Sequence, residues 1–211
     1  MGRGSEIGDA GSRARSVLEA KHNAREATLS TSRSAIRECA LGIRAVHRRE
    51  FEVAGTHIEA AAALIEQARA ATRDYPDIRH AGFLVDAEKE LVEANLTVAY
   101  VAGVPAPTAD ELGVGVAAYL NGMCEAASEL RRQVLDCLRR AELADAENLF
   151  EVMDEVYGLL VTIDYPDALT GGLRRSTDAL RAVLERTRGD LTNAIVAARI
   201  SAATDGLSGS G

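Results

Sequence analysis

Residues 83–101 read FLVDAEKELVEANLTVAYV, and this stretch decides the fold. At about 100° of turn per residue, Leu84, Val85, Ala87, Leu91, Val92, Val98 and Ala99 cover most of the circumference of a helix. A helix apolar almost all round is enclosed by other helices. One narrow stripe breaks the pattern: Asp86, Glu90, Glu93 and Thr97. Residues three or four apart share a face, so Glu90 and Glu93 aim their carboxylates the same way. Like charges at that spacing repel, and burying them unpaired is costly. Such acids hold a divalent cation or share protons. The alternative is a partly solvated groove with arginine partners from another helix.

A second pair, Glu125 and Glu129, lies four apart in NGMCEAASELRR, residues 121–132. Its polar stripe continues through Arg132 and Asp136, opposite Val116, Tyr119, Leu120, Met123, Ala127, Leu130 and Val134. This is an ordinary amphipathic helix, and Glu129 has Arg132 and Gln133 within reach as partners. Gly122 beside Glu125 stands out, because glycine inside a helix costs about 1 kcal/mol against alanine and often marks a close approach.

Working outward, Tyr75-Pro76, Val104-Pro105, Ala106-Pro107 and Tyr165-Pro166 mark boundaries. The periodicity between them is helical, with no alternating strand pattern. Helices are expected over Ser12–Arg48, Phe51–Thr72, Asp77–Ala102 with a break near Arg79, a segment capped at Thr108 and running to Ala141, Ala144–Ile163, and Thr170–Ala203. Residues 1–11 and 204–211 are rich in Gly and Ser and read as flexible ends. No repeat or internal linker is visible. The reading is a single all-α domain over 1–211, a bundle of about six to seven antiparallel helices.

Composition agrees. Of 211 residues, 47% are hydrophobic, enough for a core, and only 4% are aromatic, which suits helices packed through Ala, Leu and Val. The net charge of −8 argues against wholesale coating of nucleic acid, so an anionic ligand has to meet a local basic patch. Cys39, Cys124 and Cys137 are odd in number and widely spaced, so they read as buried hydrophobes in a reducing, cytoplasmic setting. No run reaches ~18 apolar residues and no apolar signal core opens the chain, so neither a membrane span nor secretion is expected. Glu6 breaks the myristoylation pattern that Gly2 would start.

The basic patch has a candidate. Arg33, Arg37, Arg44, His47 and Arg48 fall within an arc of about 100° on the first helix. The stripe is roughly 22 Å long and borders Leu29, Ile36, Ile43 and Val46. Its arginine forks suit phosphate oxygens; the competing reading is a solvated face, or partners for the acids. Glu19-x-x-His22 is half of a di-iron pattern whose other half is missing, and His57 and His80 read as surface or capping residues.

Five segments together resemble the translin superfamily: residues 32–48 (SRSAIRECALGIRAVHR), 89–94 (KELVEA), 119–132 (YLNG through ELRR), 164–175 (DYPDAL with GLRR) and 186–192 (RTRGDLT). The chain is similar to a prokaryotic, archaeal or bacterial, member, closest in its acids to translin-associated factor X. The resemblance implies a translin-like bundle of about seven helices assembling into a hollow homo-octamer around RNA. It also implies an endoribonuclease dependent on Mg²⁺ or Mn²⁺, whose catalytic and metal-binding acids match Glu90, Glu93, Glu125 and Glu129. Its nucleic-acid-binding residues match Arg33, Arg37, Arg44, His47 and Arg48, and its substrate is single-stranded RNA, with single-stranded DNA as a further ligand. One departure stands out: position 125, usually Asp in the catalytic subunit, is Glu here, one methylene longer. Two other functions stay open, a translin-type protein that binds RNA or single-stranded DNA without cutting it, and a structural helical scaffold.

Overall fold

In a computed structural model, residues 3–208 are described, and among them every regular element is a helix. Six are long: α1 (Arg3–His47), α2 (Phe51–Ala71), α4 (Gly82–Ala102), α6 (Val116–Arg139), α7 (Leu143–Leu160) and α9 (Leu173–Ser208). Three single-turn pieces lie between them: α3 (Pro76–Arg79), α5 (Ala109–Leu112) and α8 (Asp167–Thr170).

The expected break near Arg79 is the junction of α3 and α4, and Pro76 starts α3 at a position where its missing N–H costs nothing. The helix expected from Thr108 to Ala141 is two. Thr108 does cap a helix, in a reciprocal capping box with Glu111, but α5 ends after one turn because Gly113 turns left-handed at φ 63°. The last helix likewise begins at Leu173 rather than Thr170, which belongs to α8. The first helix begins at Arg3, well before Ser12. Once a helix is nucleated each further residue adds a hydrogen bond, so Gly4, Ser5, Gly8 and Gly11 extend it despite poor propensity. Of the ends read as flexible, 3–11 and 204–208 are therefore helical, while residues 1–2 and 209–211 lie outside the described ones.

Two large apolar clusters make most of the core. Ala35, Cys39, Ile58, Ile65, Leu84 and Leu91 join α1, α2 and α4. Leu130, Val134, Met153, Leu160, Leu180 and Leu184 join α6, α7 and α9. Helices α4 and α6 pack against each other along the seam, so the two clusters form one body. The closest approach is at Gly122, where a Cβ would stand 2.6 Å from the Lys89 carbonyl oxygen and 2.6 Å from Val92 Cβ. That close approach explains the glycine: only a residue without a Cβ lets the backbones meet here.

Polar ties fix the remaining elements. Asn121, buried on α6, donates to the Thr170 carbonyl at 2.7 Å and accepts from Ser176 Oγ at 2.7 Å, holding α8 and the start of α9. Arg131 donates to Thr187 Oγ1 at 2.9 Å and to Asp190 at 2.8 Å, pinning α9 further along. Tyr119 donates to the Pro107 carbonyl at 3.0 Å and anchors the α4–α5 connection.

Candidate metal centre

The seam between α4 and α6 carries the acids. One carboxylate oxygen from each of Glu90, Glu93 and Glu125 lies within 4.8 Å of the other two. Helix α4 supplies two of the three because Glu90 and Glu93 share a face, and α6 brings Glu125 one turn past the contact at Gly122. Each side chain is half-buried, so the cluster is reachable from solvent but poorly hydrated.

The protonation states follow from that placement. Burial pushes the Glu93 carboxyl up to about 8, and the charges of Glu90, Glu125 and Glu129 push it the same way. Glu90 is raised too, first by burial, with Lys89 opposing. Beneath the cluster, burial together with the charges of Glu90 and Glu93 holds the Cys39 thiol at about 12, so this thiol stays neutral. Cys124 and Cys137 are likewise free and buried.

Lys89 Nζ lies 2.7 Å from Glu125 Oε1 and 3.8 Å from Glu90 Oε1. It is one of two lysines among 24 basic residues, the other being Lys21, and that rarity in the segment KELVEA was the signal available for it. The acids thus already hold a cationic group, and their all-oxygen donor set matches a hard divalent ion. The residues fit Mg²⁺ or Mn²⁺.

Glu129 stands apart from the converging three. It is near enough to raise Glu93, but its Oε1 is hydrogen-bonded to His47 Nε2. His47 was expected on the phosphate-facing stripe, and that expectation is corrected: its side chain is 3% exposed and lies between Glu129 and Gln133. The reason is angular. His47 lies one turn beyond Ile43, on the edge of the apolar line rather than the middle of the basic one. The rest of the stripe is on the surface. Arg33, Arg37 and Arg44 are exposed and free of acidic partners among the described residues, while Arg48 forks onto Glu50 at 2.6 and 2.9 Å. Arg132 on α6 is also exposed and has no acidic partner among the described residues, near Glu129. His57 bonds Glu38 at 2.7 Å and ties α1 to α2, His80 ends α3, and Glu19 and His22 are exposed.

No protein-family model matches the chain. It is 30% identical to the uncharacterized protein MJ0175 of Methanocaldococcus jannaschii over 181 residues, 84% of this chain and 79% of that protein. Among solved structures it is similar to AfC3PO in complex with duplex RNA, at 34% identity and a TM-score of 0.82 over 88% of this chain and 96% of that one. A crystal structure of AfC3PO gives 33% and 0.80 over 88% and 97%. Apo-NeC3PO shares the fold, at 19% identity and 0.72 over 89% and 96%. At this identity, and with near-complete coverage of the AfC3PO chains, this chain belongs to the translin/C3PO family.

Proposed function

We propose that this protein binds RNA and cleaves it with a divalent metal held at the α4–α6 seam. The reading rests on one observation: one carboxylate oxygen from each of three glutamates on two helices lies within 4.8 Å of the other two. The duplex RNA bound by the similar AfC3PO supports RNA as the ligand class. In this reading Glu90, Glu93 and Glu125 hold Mg²⁺ or Mn²⁺, and Glu129 is the fourth acid. When bound, such an ion supplies charge stabilisation at the scissile phosphate and a more acidic water. Arg33, Arg37, Arg44 and Arg132 hold the flanking phosphates, each with a planar fork. Lys89, which holds Glu125 at 2.7 Å, would have to release that carboxylate for it to serve as a ligand.

The protein works as an oligomer, with an octamer as the expected form. Ile7, Val17 and Leu18 on α1, Leu159, Val161, Tyr165 and Leu169 at the α7–α8 corner, and Val196 and Ile200 on α9 are all exposed, more apolar surface than isolated residues account for.

A second reading, RNA binding without cleavage, has its own support. Lys89 already satisfies Glu125, whose extra methylene departs from the family's Asp. The deciding experiment is cleavage of labelled single-stranded and duplex RNA with EDTA and after Mn²⁺ is restored. Metal-dependent cutting that Glu93→Gln and Glu125→Gln abolish is the expected result. Retention of RNA without cutting selects the second reading, and loss of all retention at moderate salt leaves only a scaffold.

A further inference from the structure

His47 closes α1, and its ring is almost fully enclosed. Its two nitrogens have different duties. Nδ1 accepts a hydrogen bond from Gln133 Nε2 at 2.8 Å. A ring nitrogen that accepts carries no proton, so the proton of the neutral imidazole is on Nε2, which donates to Glu129 Oε1. Gln133 is 2% exposed and sits one turn along α6 from Glu129, so the ring is gripped from one helix face at both ends.

We infer that His47 is a positioning residue for the fourth acid: its Nε2–H holds Glu129 Oε1 and leaves the second carboxylate oxygen for the metal or for a water bound to it. This rests on the reading of the seam as a metal centre. Glu129 carries three rotatable side-chain bonds, and its side chain is one-third exposed. Without a donor on Oε1 the carboxylate is free to turn outward to water and to populate other rotamers. Gln133 acts one step further back, because an amide donating to Nδ1 prevents the other tautomer, which would turn a lone pair toward Glu129. Hydrogen-bonded partners of this kind set the geometry and affinity of a metal site without touching the ion.

The test uses the full chain and Mn²⁺ itself, with affinity read by electron paramagnetic resonance. His47→Leu should weaken Mn²⁺ binding about ten- to a hundredfold, and His47→Gln, whose amide nitrogen reaches the Nε2 position, should restore it to within about threefold. In a Glu129→Gln background His47→Leu should change nothing further, since its effect passes through that carboxylate. In the metal-free protein, ¹⁵N NMR should show the Nε2–H tautomer. Equal affinity for wild type and His47→Leu overturns the inference, as does His47→Gln binding no better than His47→Leu, or an Nδ1–H ring. If His47→Leu does not fold, Gln133→Leu should weaken Mn²⁺ binding severalfold and shift the ring signals, and an unchanged affinity there also overturns it. A wild type that binds no Mn²⁺ brings down the metal reading and this inference together, whereas a wild type that binds while the variants bind equally well brings down this inference alone.

Discussion

At the residue scale, Glu93 carries the most unusual charge state. Its carboxyl is raised from 4.5 to about 8 in the fold, with burial as the first cause. Below the unfolded value both states hold the proton and the group contributes nothing. Between the two values the folded protein keeps a proton that the unfolded chain releases, so stability falls as pH rises, and above about 8 the full penalty applies. Glu93→Gln removes the penalty. In EDTA the variant should be more stable than wild type by about 2 kcal/mol near neutral pH, with the gap closing toward roughly pH 5. Urea unfolding at both pH values checks this, and a variant no more stable at neutral pH contradicts it. If Glu93 is a ligand as proposed, added Mn²⁺ should reverse the order, because an ion bound only by the wild type stabilises it. The pairing of Glu90 with Glu93 was legible in the sequence, since two residues on one helix face need only a helix to be neighbours. The roles of Lys89 and His47 were not, because each depends on what α6 presents across the seam.

At the scale of elements, the crossing of α4 and α6 decides whether there is a centre at all. Gly122→Ala would set a methyl carbon 2.6 Å from a backbone oxygen of α4, which cannot swing aside as a side chain can. The helices have to separate, at a cost of about 1–3 kcal/mol. Glu125 moves away from Glu90 and Glu93 with them. The expected outcome is a lower melting temperature together with weaker Mn²⁺ binding. A variant that melts lower but binds Mn²⁺ like wild type would show that the crossing does not set the site. Helices α1 and α6 end alike, with left-handed turns at Arg49 (φ 60°) and Ala141 (φ 58°) and backbone bonds of 3.0 Å from Glu50 to Ala45 and 2.9 Å from Glu142 to Cys137. Neither residue is the glycine usual there, so the sequence carried no glycine signal for these two corners. Where the sequence did mark boundaries, at Pro76 and Thr108, the marks hold, but neither states how far the following helix runs.

For the whole molecule, an acidic chain presents a local basic strip on its long first helix. Arg37→Ala with Arg44→Ala should weaken RNA binding and flatten the slope of log affinity against log salt by about one to two units. Unchanged affinity and slope would place the RNA elsewhere. The exposed apolar residues of α1, α9 and the α7–α8 corner predict self-association. Light scattering at low micromolar concentration should give a mass several times that of one 22.4 kDa chain, and a mass near a single chain would count against it.

The sequence by itself determined the helical class, the enclosed character of the segment 83–101, the two glutamate pairs and the mark of a close approach at Gly122. All of these are properties of one helix at a time, written in a period of 3.6 residues. Tertiary structure decided which pairs face each other. It drew Glu125 to Glu90 and Glu93, and set Lys89 against Glu125. It took His47 out of the basic strip to hold Glu129. The physical reason is that the spacing within a helix fixes directions around one axis. The distance between two axes is set by packing, and here by one residue without a side chain.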